Sequence, residues 1–402
     1  MKRMGRVRVA IAIAACGWCA SPTSATDGNE LVGIGAIQQS MTGAGIASPQ
    51  DSTWALLNPA AMVSLDQRVD AYFTMLFNEI NADVRGFPLL SNPAAQNLTN
   101  HNFIPFPSFG VVLRPTDDTA IGFGGFGVEG NMLEYSKSRA TITLLQHEDR
   151  RSEYEVAKFP LSYAYRFDNG WAIGGSLVGV ATRFRTDSIT LQLRPTSGDF
   201  ERDWGFGAGL QFSIYKEWEH VSIGATYTTR QIMQEYEKYQ DLVQWNLDLP
   251  QKFQAGIAIR PTEHLEFVLD YKWIGWSDIN LLANPSVRGG LGWENQQVVK
   301  SGVTYDPEGP WTFHAGISYG KSPISENDVF VNVLTPAIAE VHAGFGVSYD
   351  FPKGRTLHVG YLHTVENEMQ EKGQGDLFSR LGKGSTISYG EEAVTIQYSI
   401  KF

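Results

Sequence analysis

Residues 393–402 read AVTIQYSIKF. Val394, Ile396, Tyr398, Ile400 and Phe402 share one parity, and Thr395, Gln397, Ser399 and Lys401 share the other. A strand turns successive side chains to opposite faces, so this segment has one apolar and one polar face. In a soluble sheet the apolar face would be a core. In a closed sheet that crosses a membrane it would meet lipid.

The same alternation recurs upstream. Fourteen candidate strands begin near Val69, Phe103, Thr119, Tyr154, Gly170, Asp203, Trp218, Leu249, His264, Gln296, Trp311, Ala339, Arg355 and Glu391. Short connections such as PTDDT, FDNG, YKEWE, PTEH, DPEGP and FPKGR carry the Pro, Gly, Asp and Asn that tight turns require. They alternate with long ones at about 78–102, 128–153, 186–202, 231–247, 277–294, 321–338 and 367–390. An even-stranded outer-membrane barrel has this plan, with short turns on one side and long loops on the other. A β-sandwich or propeller needs no such alternation. Trp171, Trp204, Trp218, Tyr271, Trp273, Trp276, Tyr349 and Tyr361 fall near strand ends, as an interfacial aromatic belt requires. Phe402 resembles the terminal aromatic by which such barrels are recognised for assembly. The expected fold is therefore all-β, a 14-stranded antiparallel transmembrane barrel over residues 66–402.

The N-terminus fixes the destination. Basic MKRMGRVR, apolar VAIAIAACGWCA and small SPTSA form a secretory signal over residues 1–25, with cleavage expected after Ala25. A lipoprotein box ending at Cys16 is the other reading. Cleavage removes Lys2, Arg3, Arg6 and Arg8, so the 32 basic residues fall to 28 against 43 acidic ones, a net charge of −15. Cys16 and Cys19, the two cysteines, leave as well. No disulfide or thiol ligand remains, and an acidic chain without a basic cluster argues against nucleic acid as a partner. No run of about 20 apolar residues follows, so no membrane helix is expected. The eight histidines are scattered, without triad or metal-ligand spacing. Neither a catalytic residue nor a metal site nor a cofactor is expected.

Residues 26–65 break the strand rhythm. In GIGAIQQSMTGAGIASPQDSTWALLNPAAM (33–62), Asp51 or Ser52 can cap a turn at Trp54–Leu57, which Pro59 must end. Asn58 then suits an N-cap and Pro59 a first helical position. Read locally, this is a turn–kink–turn linker.

The stretch also resembles the N-terminal plug (hatch) of the outer-membrane long-chain fatty acid and aromatic hydrocarbon transporters (FadL/TodX-like, OmpP1 type). The resemblance rests on Gly43-Ala44-Gly45 followed by Asn58-Pro59-Ala60 just before the first strand. It extends to VDAYFTMLFNEINADVRG (69–86), LPQKFQAGIAIRPTEHLEFVLDYKWIGWS (249–277) and WTFHAGISYGKSPI (311–324). It implies a monomeric passive importer of hydrophobic small molecules, surrounded by outer-membrane lipid and lipopolysaccharide. Long-chain fatty acids are the default ligand and hydrocarbons the alternative; a structural or adhesive surface barrel is the alternative of another class.

The implied route assigns residues. Gly43, Gly45, Asn58, Pro59 and Ala60 would form the plug hinge. For outer capture, Ile232, Tyr236, Tyr239 and Val243 follow a 4-3-4 spacing and would share a helical face. A kinked third strand would let the ligand out sideways, with Gly124 and Gly125 bending it and Phe123 and Phe126 lining or gating the gap. Arg183 and Arg185, expected on the lumen face, and Lys272 and Lys300 are candidate partners for a ligand carboxylate; structural ion pairing is the other reading.

Overall fold

In a computed structural model, which describes residues 27–85, 97–135, 150–186, 201–240 and 247–402, the alternation near the C-terminus is resolved inside out. Thr395, Gln397 and Ser399 are fully buried, while Ile396, Tyr398 and Ile400 are 44%, 39% and 40% exposed. A soluble sheet would bury the second set. An apolar rim around a polar interior is the arrangement of a barrel in lipid.

The strands are β1 (Arg68–Asp83), β2 (Asn97–Thr116), β3 (Thr119–Tyr135), β4 (Arg150–Arg166), β5 (Trp171–Thr186), β6 (Asp203–Glu217) and β7 (Val221–Thr228). The two-residue β8 (Ile232–Met233) follows, then β9 (Lys252–Thr262), β10 (Leu265–Ile274), β11 (Gln296–Tyr305) and β12 (Trp311–Gly320). β13 (Val341–Phe351), β14 (Arg355–Gln370) and β15 (Thr386–Lys401) complete the sheet. All pairings are antiparallel; β7 pairs directly with β9, and β15 returns to β1, so fourteen long strands close a ring. No described helix is long and apolar enough to cross a membrane; the strands do so.

The wall is uneven in height. β14, β15 and β1–β6 run 15 to 20 residues, whereas β7 and β9–β13 run 8 to 11. The long strands extend into segments expected as loops: β1 continues to Asp83, and β15 begins at Thr386. Over the low side, the connections after β10 and β12 fold into a cap. Trp276 and Trp293 meet edge to face at 5.1 Å, packed with Phe330 and Ile338 against Ile80, Leu133 and Ile387 of the high wall.

The described N-terminal residues fill the lumen. Helix α1 (Ala36–Ser40) and helix α2 (Trp54–Leu57) are followed by a 3-10 turn at Pro59–Ser64, and most of their side chains are buried. Inward glycines of the wall leave room for them: a Cβ on Gly174 would fall on the Ala60 nitrogen, and one on Gly344 on the Ser40 carbonyl. Polar lumen side chains complete the seat. Gln397 accepts from the Ala36 N–H at 2.9 Å and donates to Asp51 Oδ2 at 3.0 Å. Asp70 accepts from the Ser52 N–H at 2.8 Å and pairs with buried Arg68.

Candidate functional site

Three elements meet in the upper lumen. The first is the segment Asp27–Ile34. Its Leu31 N–H donates to the Val128 carbonyl of β3 at 2.9 Å, and Glu30 bridges to Glu129. Its two acids reach the opposite wall. Asp27 Oδ2 lies 2.7 Å from both Lys272 Nζ and Lys300 Nζ, while Glu30 takes Lys272 at 2.8 Å and also Lys252. Burial alone would push the Asp27 carboxyl up; the two ammonium groups outweigh it and hold Asp27 below its usual value.

The second element is a partly open cavity of about 90 Å³ beside that segment. Leu31, Ile34, Leu56, Val128 and Val178 form its apolar wall, and Gln38, Thr226, Gln231 and the lysines its polar one. A cavity that admits benzene is nearer 150 Å³, so a ring-sized ligand enters only by displacing some of the side chains that line this one.

The third is a seam in the wall. β2 and β3 are paired from Thr116–Thr119 only as far as Phe109–Gly125. Above that, β2 stays on β1 and β3 on β4, and β3 shifts register between Gly127 and Glu129. Side chains replace the missing ladder: the Gly127 N–H donates to Ser108 Oγ at 3.1 Å, and the Glu134 N–H to Asn100 Oδ1 at 2.8 Å. The buried Phe106 ring lies over Gly127 and Gly130, where any Cβ would strike it, and packs with Leu76, Ile104 and Leu31. Pro105 and Pro107 of β2 have no N–H to offer a ladder.

Residues 243–402 match the family described as "Outer membrane protein transport protein (OMPP1/FadL/TodX)". Over that C-terminal part the chain is similar to this family, and its closed wall is that of an outer-membrane barrel. The fold is that of the Pseudomonas putida toluene transporter TodX, at a TM-score of 0.68 and 16% identity over 92% of this chain and 99% of that one. A Pseudomonas aeruginosa FadL homologue gives 0.68 and 13% over 95% and 100%, and the Ralstonia pickettii toluene transporter TbuX 0.62 and 16% over 92% and 99%. No curated protein sequence gives a significant match.

Within this barrel the expected hinge residues are all inside the lumen, but Asn58 acts differently from expectation. Asn58 does not cap the turn after it; its Nδ2 donates to the Ile46 carbonyl at 3.0 Å, closing a loop of the plug over Gly224. Neither Asp51 nor Ser52 caps α2. Asp51 Oδ1 accepts from the Thr53 N–H at 2.9 Å, and Ser52 turns to Asp70 and Tyr72. Ala60, following Pro59, donates its N–H to Ser213 Oγ at 2.8 Å. Gly43 has φ of 76°, and a Cβ there would fall on the Val32 carbonyl. The Gly45 N–H donates to Asp270 at 2.9 Å.

The expected gate pair is split. Phe126 is buried in the lumen, 6.2 Å from the Tyr72 ring, whereas Phe123 is 38% exposed on the lipid side. Phe123 therefore does not line the gap, and Phe106, which sequence reasoning missed, does. A Cβ on Gly124 would fall on the Phe109 carbonyl at the end of the ladder. Gly125 faces Phe109 and Phe159 outside.

Arg183 and Arg185 are not in the lumen. They share the outward parity of Leu177 and Ile173, and pair across β4–β5 with Glu155 and Glu153. Lys272 and Lys300 do face inward, but Asp27 and Glu30 occupy them. Lys158, Lys252 and Glu129 complete this charge cluster; each is a lone charge at an inward strand position, which is the signal that could have found them.

Among the described residues the capture stripe forms no α-helix, only a 3-10 turn at Glu237–Tyr239. β7 stops at Thr228, leaving the upper edge of β6 open, and Ile232–Met233 pairs there with Ala208 and Gly207. Tyr236 and Tyr239 are buried against Phe184, at 5.2 and 5.0 Å, and Ile232 is 68% exposed. Val243 lies outside the described residues, as does the expected signal.

Proposed function

We propose that this barrel imports small hydrophobic molecules passively, holding them in the luminal cavity and releasing them sideways into the membrane between β2 and β3. The observation that carries this reading is the adjacency of cavity and seam. Val128 and Leu31 line the cavity, and Leu31 packs on the Phe106 cluster that fills the break in the ladder. A molecule passing Phe106 would enter lipid without crossing a polar layer, so no energy source is needed. Gly124 and Gly125 end the ladder below that point, and Tyr236, Tyr239 and Phe184 form an aromatic shelf above the cavity wall. Compact ligands suit the cavity better than long-chain acids, because its lysines already face carboxylates of the chain. The names of TodX and TbuX, toluene transporters, point the same way.

The test is uptake of labelled toluene and labelled oleate by cells with and without the protein. Protein-dependent toluene uptake, increased by Phe106→Ala, is expected. Toluene uptake equal to that of cells lacking the protein, with the barrel present and folded, overturns the reading.

A further inference from the structure

The polar half of the cavity contains hydrogen-bonding groups that nothing in the chain answers. Neither amide atom of Gln231 has a partner among the described residues, and the same holds for Gln38 Nε2 and Thr226 Oγ1. These residues are 0%, 2% and 5% exposed, and all three line the cavity. They come from three elements: α1, β7 and the stretch before β8. Gln231 is held firmly, since its N–H and carbonyl both bond to Leu249, at 3.0 and 3.1 Å. Neighbouring amides differ: Gln211 donates to the Leu56 carbonyl at 2.7 Å and Gln254 to Asp270 at 2.9 Å.

The unmet capacity is neutral. Lys158 faces Glu129, Lys252 faces Glu30, and Lys272 and Lys300 share Asp27. Asp270 stands directly across the ladder from Lys300. Four ammonium groups thus meet four carboxylates, and a ligand carboxylate would add an uncompensated buried charge, which is costly. A bare hydrocarbon answers none of the orphaned groups. Each buried polar group left unpaired costs about 1–3 kcal/mol. Gln231 offers both a donor and an acceptor, Gln38 a donor and Thr226 either, so the complement is a group that both accepts and donates.

We propose that the cavity selects apolar molecules bearing one neutral hydroxyl, an alcohol or phenol, and that Gln231, with Gln38 and Thr226, reads that hydroxyl. The inference rests on the import reading above and specifies the ligand of the same cavity.

The probes are labelled p-cresol and p-xylene, which exchange a hydroxyl for a methyl at nearly constant shape. Protein-dependent uptake of p-cresol should exceed that of p-xylene at least tenfold. Gln231→Leu should reduce that ratio about tenfold, and Thr226→Val should reduce it less. The wild-type ratio tests the idea even if a variant fails to assemble. Uptake of p-xylene equal to or faster than p-cresol overturns this inference alone. So does an unchanged ratio in both variants. Protein-dependent uptake of neither compound overturns the import reading and this inference with it.

Discussion

The side-chain amide of Asn58 reaches back twelve residues to the carbonyl of Ile46, 3.0 Å away in a fully buried part of the lumen. Asn58→Ala leaves that carbonyl without its partner, at a cost of about 1–3 kcal/mol. The loss should fall on the plug, because the wall ladders are untouched. Hydrogen exchange should accelerate for residues 44–58 while the barrel keeps its resistance to heat in SDS. Unchanged exchange across that stretch would refute the tie.

Lys300 is 2% exposed, and Asp27 is its acidic partner. Removing one member of a buried pair typically costs about 3–5 kcal/mol. Lys272 remains on Asp27, so Lys300→Met should cost less than that range. The readout is the Leu31 amide, which is bonded to Val128. Its exchange should quicken in Lys300→Met and in Asp27→Asn, and the double variant should add little to either single one.

Gly174 and Gly175 are adjacent but face opposite ways. A methyl on Gly174 would fall on the Ala60 nitrogen, whereas one on Gly175 meets only the Gln211 carbonyl, at 3.3 Å. Overpacking a filled interior costs about 1–3 kcal/mol. Gly174→Ala should therefore lower the temperature at which the folded band is lost, and Gly175→Ala should lower it less. Equal effects would mean that the plug does not press on β5.

Asp328 lies in the outer cap, where burial pushes its carboxyl up to about 6. Ser325 donates to it and works against that shift, while Glu371, Asp376 and Glu294 add to it. A carboxyl raised from an unfolded value near 3.8 favours the protonated folded form. Its contribution to the cap is complete below about pH 4 and is lost as pH rises through about 6. Exchange in residues 321–340 should therefore be slower at pH 5 than at pH 7.5, after correction for intrinsic rates. Asp328→Asn should flatten that dependence.

The strand rhythm could be read because lipid and lumen impose opposite demands on alternate residues; β15 states this without ambiguity. β5 does not. Val178 and Val180 face inward against the cavity and the aromatic shelf, so both faces of GGSLVGVATRFR are apolar, and the phase that sends Arg183 outward is hidden. Phe123 and Phe126 are three apart, an odd spacing that already puts them on opposite faces of a strand. The seam had a signal too, in Pro105 and Pro107. The contacts of Asp27 and Glu30 could not be read, since nothing local in a short acidic stretch tells which lysines, some 220 to 270 residues later, it will meet.

Gln397 grips the plug at both Ala36 and Asp51, yet it lies on the last strand of the chain. The plug segment thus waits for a strand roughly 350 residues later in the chain before its seat is complete. Seating the plug and joining β15 to β1 become one event. A chain stalled before that strand would carry its N-terminal segment loose, and ring closure serves as the checkpoint that locks the interior.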